Sequence, residues 1–266
     1  IGRRQTIRRF TRDQILDYCR RYFRPDRLVV AIAGSFDARR CTAAIRRLID
    51  LPPAGTRRGA KLKAPNGTVT VQPTARRRPT EQVHFCLGSR APHRLSPDRF
   101  AFGLLNMVLG GGMSSRLFLE IRERRGLAYS IGSFMQSYSD SGYFAVSGGT
   151  SPRTLREVLR IPRAEIDRIC DEPVPDAELE LARAQILDAI IMGLENTETR
   201  VSRLADSLIA HGRVVPIDEL MERVSAVQAA DVQRAAQRYL RRPLAMALVG
   251  PSDDRRWTRE ALKETA

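Results

Sequence analysis

With 266 residues, of which 42% are hydrophobic, the chain is long enough for one large or two ordinary domains of ~100–200 residues each. No stretch approaches the roughly 18 uninterrupted apolar residues of a membrane-spanning helix, and the arginine-rich start lacks the apolar core of a signal peptide; the expectation is a soluble, cytoplasmic protein with no membrane partner. The net charge of +15 points to nucleic acid until it is divided: residues 1–80 hold 20 Lys and Arg against 5 Asp and Glu, residues 81–266 hold 25 against 25, and 42 of the 45 basic residues are arginine.

Phe10-Thr11-Arg12-Asp13-Gln14 reads as a capping box, with Thr11 covering backbone N–H groups, Gln14 reaching back and Phe10 as the staple. Ile15, Tyr18, Cys19, Tyr22 and Phe23 follow at helical spacing, Pro25-Asp26 stops the pattern, and the continuous apolar run from Leu28 to Ala33 predicts a buried strand. Asp37 caps a second helix whose inner face is Cys41, Ala44, Ile45, Leu48 and Ile49. Residues 52–67 and 73–80 read as a linker enclosing one short strand, 68–71, and a domain boundary belongs there. Beyond it come a strand from Glu81 to Ser89 and a helix from Pro97 to Leu109 capped by Ser96. After the central stretch, a hairpin turns at Tyr138 to Tyr143 into a strand ending near Gly148. Helices are predicted from Pro152 to Ile169, Ala177 to Leu194, Glu198 to Ala210, Ile217 to Val224 and Asp231 to Leu240, then a last strand from Leu244 to Val249.

The central stretch, Leu109 to Phe134, is the most informative. Gly110-Gly111-Gly112 precedes a short helix for which Ser114 or Ser115 is the expected cap, and Gly126 supplies the positive φ that ends it. That spacing brings Arg122, on the last helical turn, and Tyr129, just past the cap, to one end of the element, where a cation and a phenol face one site. Read alone, Arg122 is more readily a surface arginine crowded by Arg116, Arg124 and Arg125, and Tyr129 a half-buried strand aromatic. One glycine suffices to end a helix, whereas three leave room for mobility or for close approach of a peptide backbone. No lysine follows as in a Walker loop, and no G-x-G-x-x-G follows a strand, so nucleotide binding is not expected. Phe134, Tyr138 and the strand from Tyr143 to Gly148 are ordinary sheet residues or an edge to which an extended peptide adds.

Cys19, Cys41, Cys86 and Cys170 are widely spaced without a C-x-x-C and read as buried reduced thiols. His84, His93 and His211 are equally isolated, so no zinc ligands are expected in this chain. Arg3, Arg4, Arg8, Arg9, Arg12 and Arg76 to Arg78 could contact phosphate, but no interleaved aromatics or recognition motif accompany them, and no specific nucleic-acid partner is expected.

The end of the chain echoes its beginning. Arg21-Tyr22-Phe23-Arg24-Pro25, Leu28 to Gly34 and Asp37-Ala38-Arg39-Arg40 recur as Arg238-Tyr239-Leu240, Pro243, Leu244 to Gly250 and Asp253-Asp254-Arg255-Arg256. Each copy follows a capped helix with an early aspartate, Asp13 or Asp231. Repeats of this length change the fold expected. If residues 80–266 are one full unit, then by the spacing of the copies about 135 residues of the first unit would precede Ile1.

On Leu109 to Arg116, on the Arg122 and Tyr129 pair seven apart, and on Leu194-Glu195-Asn196-Thr197 with Arg200 to Leu204, the sequence resembles the insulinase or pitrilysin-like zinc metallopeptidases. These inverzincins include the mitochondrial processing peptidases and small bacterial relatives. The resemblance implies an α+β fold of repeated two-layer α/β domains, each a mostly antiparallel sheet covered by helices on one face. It implies that residues 1–75 are the remainder of a first, catalytic-type domain plus linker, and 76–266 a complete second, non-catalytic domain. The family's inverted His-x-x-Glu-His zinc motif is absent. The implied function is therefore that of the C-terminal part of a zinc-dependent metalloendopeptidase, inactive alone. In it Arg122 and Tyr129 hold the substrate carbonyl, Gly110, Gly111 and Gly112 form a substrate-binding loop, and Zn2+ is bound outside this chain. The implied partners are a peptide or protein substrate, an N-terminal catalytic region or catalytic partner subunit, and a homo- or heterodimer. A non-catalytic scaffold or binding subunit of the same fold is the alternative, and a basic nucleic-acid binder the second.

Overall fold

Five stretches among the described residues pair into one open sheet: β1 (Thr74–Arg77), β2 (Val83–Arg90), β3 (Ala128–Ser137), β4 (Gly142–Thr150) and β5 (Ala245–Gly250), in the spatial order β1-β5-β2-β4-β3. Only β1 and β5 run parallel; the other pairs are antiparallel. The computed structural model describes residues 2–49, 73–241 and 244–251. The chain divides into two units, Ile1–Leu62 with Gly193–Val214, and Lys63–Met192 with Val215–Ala266.

The second unit holds the sheet. Residues alternate along its strands, so Val83, Phe85 and Leu87 of β2, and Met246 and Leu248 of β5, are buried, while His84, Ala245 and Ala247 lie open. Onto the buried face pack α4 (Arg99–Asn106), α5 (Leu155–Asp171) and α9 (Ala229–Leu240). Phe102 of α4 stands edge-on to Phe144 of β4 and Tyr239 of α9, with ring centroids 5.6 and 5.5 Å apart, the arrangement aromatic quadrupoles favour. Also in this unit are α6 (Asp176–Gly193) and α8 (Ile217–Ser225). A mostly antiparallel sheet with helices on one face is the fold class expected.

Some expectations need correction. Residues 73–80 are not all linker: β1 lies there, and its polar Thr-Ala-Arg-Arg sequence carries no apolar alternation because it is an edge strand of which only Ala75 packs toward the core. Ser96 accepts a hydrogen bond from the Asp98 N–H at 3.3 Å, but α4 starts at Arg99 and gives way to a π-helical turn, Met107–Gly111. The predicted strand at 68–71 and the linker 52–67 lie outside the described residues, as do Pro243 and Asp253 to Arg256 of the repeat.

In the first unit the expected capping box closes α2 (Arg12–Tyr22): the Gln14 N–H donates to Thr11 Oγ1 at 3.3 Å and the Thr11 N–H to Gln14 Oε1 at 3.1 Å. Asp37 caps α3 (Ala38–Leu48), accepting from the Arg40 N–H at 2.8 Å. Asn196 does the same for α7 (Thr197–His211), which ends in left-handed Gly212. A further helix, α1 (Arg4–Arg9), escaped the sequence reading because no side chain caps it and nothing in it is buried. Leu28 to Ala33, predicted as a strand, is not one here: none of the described strands pairs with it.

All four cysteines are free, as expected, yet only Cys170 is buried; Cys19, Cys41 and Cys86 are half-buried. Burial holds the thiols of Cys86 and Cys170 above the ordinary cysteine range.

Candidate functional site

The glycine triplet closes one π-helical segment, Met107–Gly111, and a second, Phe118–Arg124, follows it. Such segments are rare and gather at functional sites. None of the three glycines has a positive φ. Gly110 is needed for contact: a Cβ there would stand 2.6 Å from the Ser133 nitrogen of β3, so the glycine lets the helix lie directly on the strand. Ser133 then donates to the Asn106 side chain at 2.9 Å. Gly111 is exposed, Gly112 half-buried, and the next residue, Met113, projects into solvent.

Neither serine caps the following helix through its side chain. Ser115 Oγ donates to the Gly112 carbonyl, and Ser114 Oγ accepts from Gln185 of α6. The Ser115 carbonyl instead accepts the Leu119 N–H at 3.0 Å, so the loop folds back on itself and the first turn follows. At the other end Gly126 has φ +60°, as expected, and the Leu127 N–H reaches the Ile121 carbonyl at 2.8 Å, closing the helix in the left-handed glycine manner.

Four arginines crowd this helix, and their partners sort them. Arg116 reaches Glu178 of α6 at 2.8 Å and Glu165 of α5 at 3.3 Å, with side chains of Arg116 and Glu165 only 12% and 13% exposed. Arg124 and Arg125 both pair with Glu120, and Arg125 also with Glu157. Arg122 turns the other way. Its guanidinium carbon lies 4.8 Å from the ring centroid of Phe118 and 4.7 Å from that of Tyr129, a cation between two π faces. Its ion pair with Glu123 is longer, 3.7 Å.

Tyr129 owes its position to a β-bulge. Ala128 pairs with Thr150 and Ser130 with Gly149, which leaves Tyr129 without a cross-strand partner. Ala128 and Ile131 are buried, and Tyr129 and Ser130 between them are both exposed, Tyr129 to 79%. The extra residue thus puts two successive side chains on the open face of the sheet, the re-aiming of a side chain that bulges bring about. Sequence spacing anticipates that Arg122 and Tyr129 meet; the bulge that aims the phenol outward leaves no mark in it.

The open face carries two further features. At its far end Phe134 stands edge-on to Tyr143 at 6.1 Å, and Tyr138 lies 6.3 Å from Tyr143. Beside Ser130, the neighbour of Tyr129, lies a cavity of about 250 Å³, open to solvent, walled by Gln82, His84, Phe85, Ser130, Ser147, Gly148 and Gly149. Of these the sequence reading singles out only His84, as an isolated histidine.

Comparison with known proteins bears on this site. Residues 9–186 match the family model described as the peptidase M16 inactive domain. A protein described as an uncharacterized zinc protease from Streptomyces coelicolor is 34% identical over 264 residues, covering 97% of this chain and 58% of its own length. In fold, the chain is similar to a protease from Helicobacter pylori, with TM-score 0.82 and 18% identity over 94% of this chain and 61% of that one. It is similar also to a chain of complex III2 from Candida albicans, with TM-score 0.83 and 17% identity over all of this chain and 65% of that one. The chain therefore spans somewhat over half the length of the curated relative it matches.

Proposed function

The chain belongs to the peptidase M16 family, and from that premise we propose that it is the C-terminal part of a zinc-dependent metalloendopeptidase, the part that holds the peptide substrate. The observation that carries this reading is the Arg122–Tyr129 pair, stacked at 4.7 Å on the open face of the sheet. Stacking fixes the plane of the guanidinium and the ring without consuming their N–H and O–H donors. Both can then donate to one carbonyl oxygen of an extended peptide. As that oxygen takes on negative charge, donors already aimed at it bind more strongly than they bind the ground state, which is how such groups accelerate acyl chemistry. The exposed end of the glycine loop, from Gly111 to Met113, flanks the same helix and suits contact with substrate backbone.

Zinc is implied by the relatives' name, but the residues here do not fit it: among the described residues no group of three or more His, Cys, Asp and Glu could hold a metal ion. No step is assigned to it. The reading assigns metal and base to a catalytic region preceding residues 1–75, which form the remainder of that domain and its linker, or to a catalytic partner subunit in a homo- or heterodimer; residues 76–266 are the holding domain.

The test uses the protein expressed from its complete reading frame. Tyr129→Phe and Arg122→Gln each lower peptide turnover at least tenfold with an unchanged melting temperature, whereas unchanged turnover overturns the assignment. The 266-residue chain by itself holds no stoichiometric zinc and cleaves no peptide; one tightly held zinc per chain by metal analysis contradicts the reading. A second reading, a non-catalytic scaffold or binding subunit of the same fold, is favoured by the description of the matched domain as inactive. Under it, substitution of Tyr129 leaves turnover untouched while loss of the chain dissolves a complex.

A further inference from the structure

We propose that the cavity beside Tyr129 is a specificity pocket that receives an acidic side chain, Asp or Glu, of the peptide held by Arg122 and Tyr129. The proposal rests on the peptide-holding reading for the peptide's position, and on the cavity alone for its chemistry.

The pocket is built by strand register. Ser130 of β3 pairs with Gly149 of β4, Gly149 with His84 of β2, His84 with Val249 of β5, and Val249 with Arg76 of β1. Residues opposed across strands share a face, so Ser130, His84 and Arg76 stand in one row on the open side. The adjacent row brings Ser147, opposite Cys86. Because the bulge turns both Tyr129 and Ser130 outward, the row begins immediately beside the phenol.

Gly149 makes the space. It has no positive φ to demand glycine, but a Cβ there would lie 2.9 Å from Gln82 Oε1 and 3.2 Å from His84 Nδ1. Its bare Cα is the floor that lets Gln82 and His84 fold over the cavity as walls. The resulting cavity of about 250 Å³ is smaller than the ~300–1,000 Å³ of pockets that hold whole small ligands and suits a single side chain.

The lining decides the guest. Around an apolar base of Phe85, Gly148 and Gly149, Gln82 offers amide N–H donors, His84 an imidazole N–H, and Ser130 and Ser147 hydroxyls that donate or accept. No carboxylate lines the cavity. Arg76 stands in the same row beyond Val249, and Arg122, whose ion pair with Glu123 is 3.7 Å long, lies over the ring of Tyr129. A carboxylate finds several donors and a positive field; a lysine or arginine finds the same field opposed. An alkyl side chain can rest against Phe85 but leaves Gln82, His84 and the two serines without partners, the mismatch that makes hydrogen-bonding sites selective.

The test measures binding to the 266-residue chain by isothermal titration calorimetry, and follows the NMR signals of the His84 ring in every chain that keeps it. The probes are blocked hexapeptides differing only in a central Glu, Gln, Lys or Ala, and the single blocked residues N-acetyl-glutamate amide and N-acetyl-lysine amide. The expected result is at least fivefold tighter binding of the Glu peptide than of the Lys peptide, with the His84 ring shifted by both glutamate probes. Gly149→Ala, whose methyl group fills the floor and displaces Gln82 and His84, and His84→Ala, a truncation of an exposed side chain, each reduce the Glu preference below twofold without weakening the Ala peptide. Tyr129→Phe weakens all four peptides alike and leaves the blocked glutamate unaffected. Equal affinities for Glu and Lys, or a Glu preference untouched by both pocket variants, overturns the pocket. If Tyr129→Phe changes nothing while blocked glutamate still shifts His84, the peptide-holding reading fails and the pocket stands. If no probe shifts His84, the pocket falls whatever the peptides do.

Discussion

The two copies of the internal repeat share their sequence grammar and differ in their structural outcome. In the second unit α9 buries Val232, Ala235, Ala236 and Leu240, and β5 is paired on both sides, by β1 and β2, with Met246 and Leu248 only 3% and 5% exposed. In the first unit α2 also carries a capping box and an amphipathic pattern, yet buries nothing. The run after it leaves Leu28, Val30 and Ile32 exposed to 45%, 46% and 36%. Capping and periodicity are local and work in both copies. A strand is not local: an apolar run becomes one only when neighbours supply its hydrogen bonds and cover its side chains.

The largest test of that contrast is Leu248→Ala, which removes a core side chain between two paired strands and should cost about 3 kcal/mol in urea unfolding. A cost below about 1 kcal/mol would mean that the two copies do not differ as described. Next comes Arg116→Gln. Its ties span 62 and 49 residues, to Glu178 and Glu165, whereas the ion pair of α2, Arg21 to Asp17, is a local i,i+4 contact. Glu165 keeps Arg168 as a partner at 3.6 Å, so the loss should be about 2 kcal/mol, short of the full penalty of an orphaned buried charge. Arg21→Gln should cost a few tenths at most, as exposed helix pairs do. Thr11→Ala, which opens the capping box, should cost about 1 kcal/mol of local helix stability, visible as faster amide exchange confined to the first turn of α2.

How far the sequence could be read follows the same division. Caps at Thr11, Asp37 and Gly126, the helical faces, and the approach of Arg122 to Tyr129 all depend on residues fewer than about ten positions apart, where backbone geometry sets distance. What escaped depends on pairing across the sheet. β1 has no apolar signature because an edge strand needs none, the bulge at Tyr129 is a matter of register with Gly149 and Thr150, and the pocket is assembled from β2, β3 and β4. Gly149 illustrates the limit. In the sequence it is one of two glycines after Ser147, indistinguishable from turn punctuation; only opposite His84 does its missing side chain become the floor of a cavity.

The smallest effect is the most pointed. Val30→Ala should change the stability of this chain by less than about 0.5 kcal/mol, because a side chain left nearly half exposed has gained little from folding. Buried, the same two methyl groups would be worth roughly 1.5 kcal/mol. The amides of residues 28–33 should likewise exchange orders of magnitude faster than those of β5, since no described strand protects them. If a catalytic region supplies the strands that flank this run in the complete protein, both measurements change there together: the substitution becomes costly and the amides slow. If the run is instead open in every context, neither moves, and the likeness between the two copies ends with their helices.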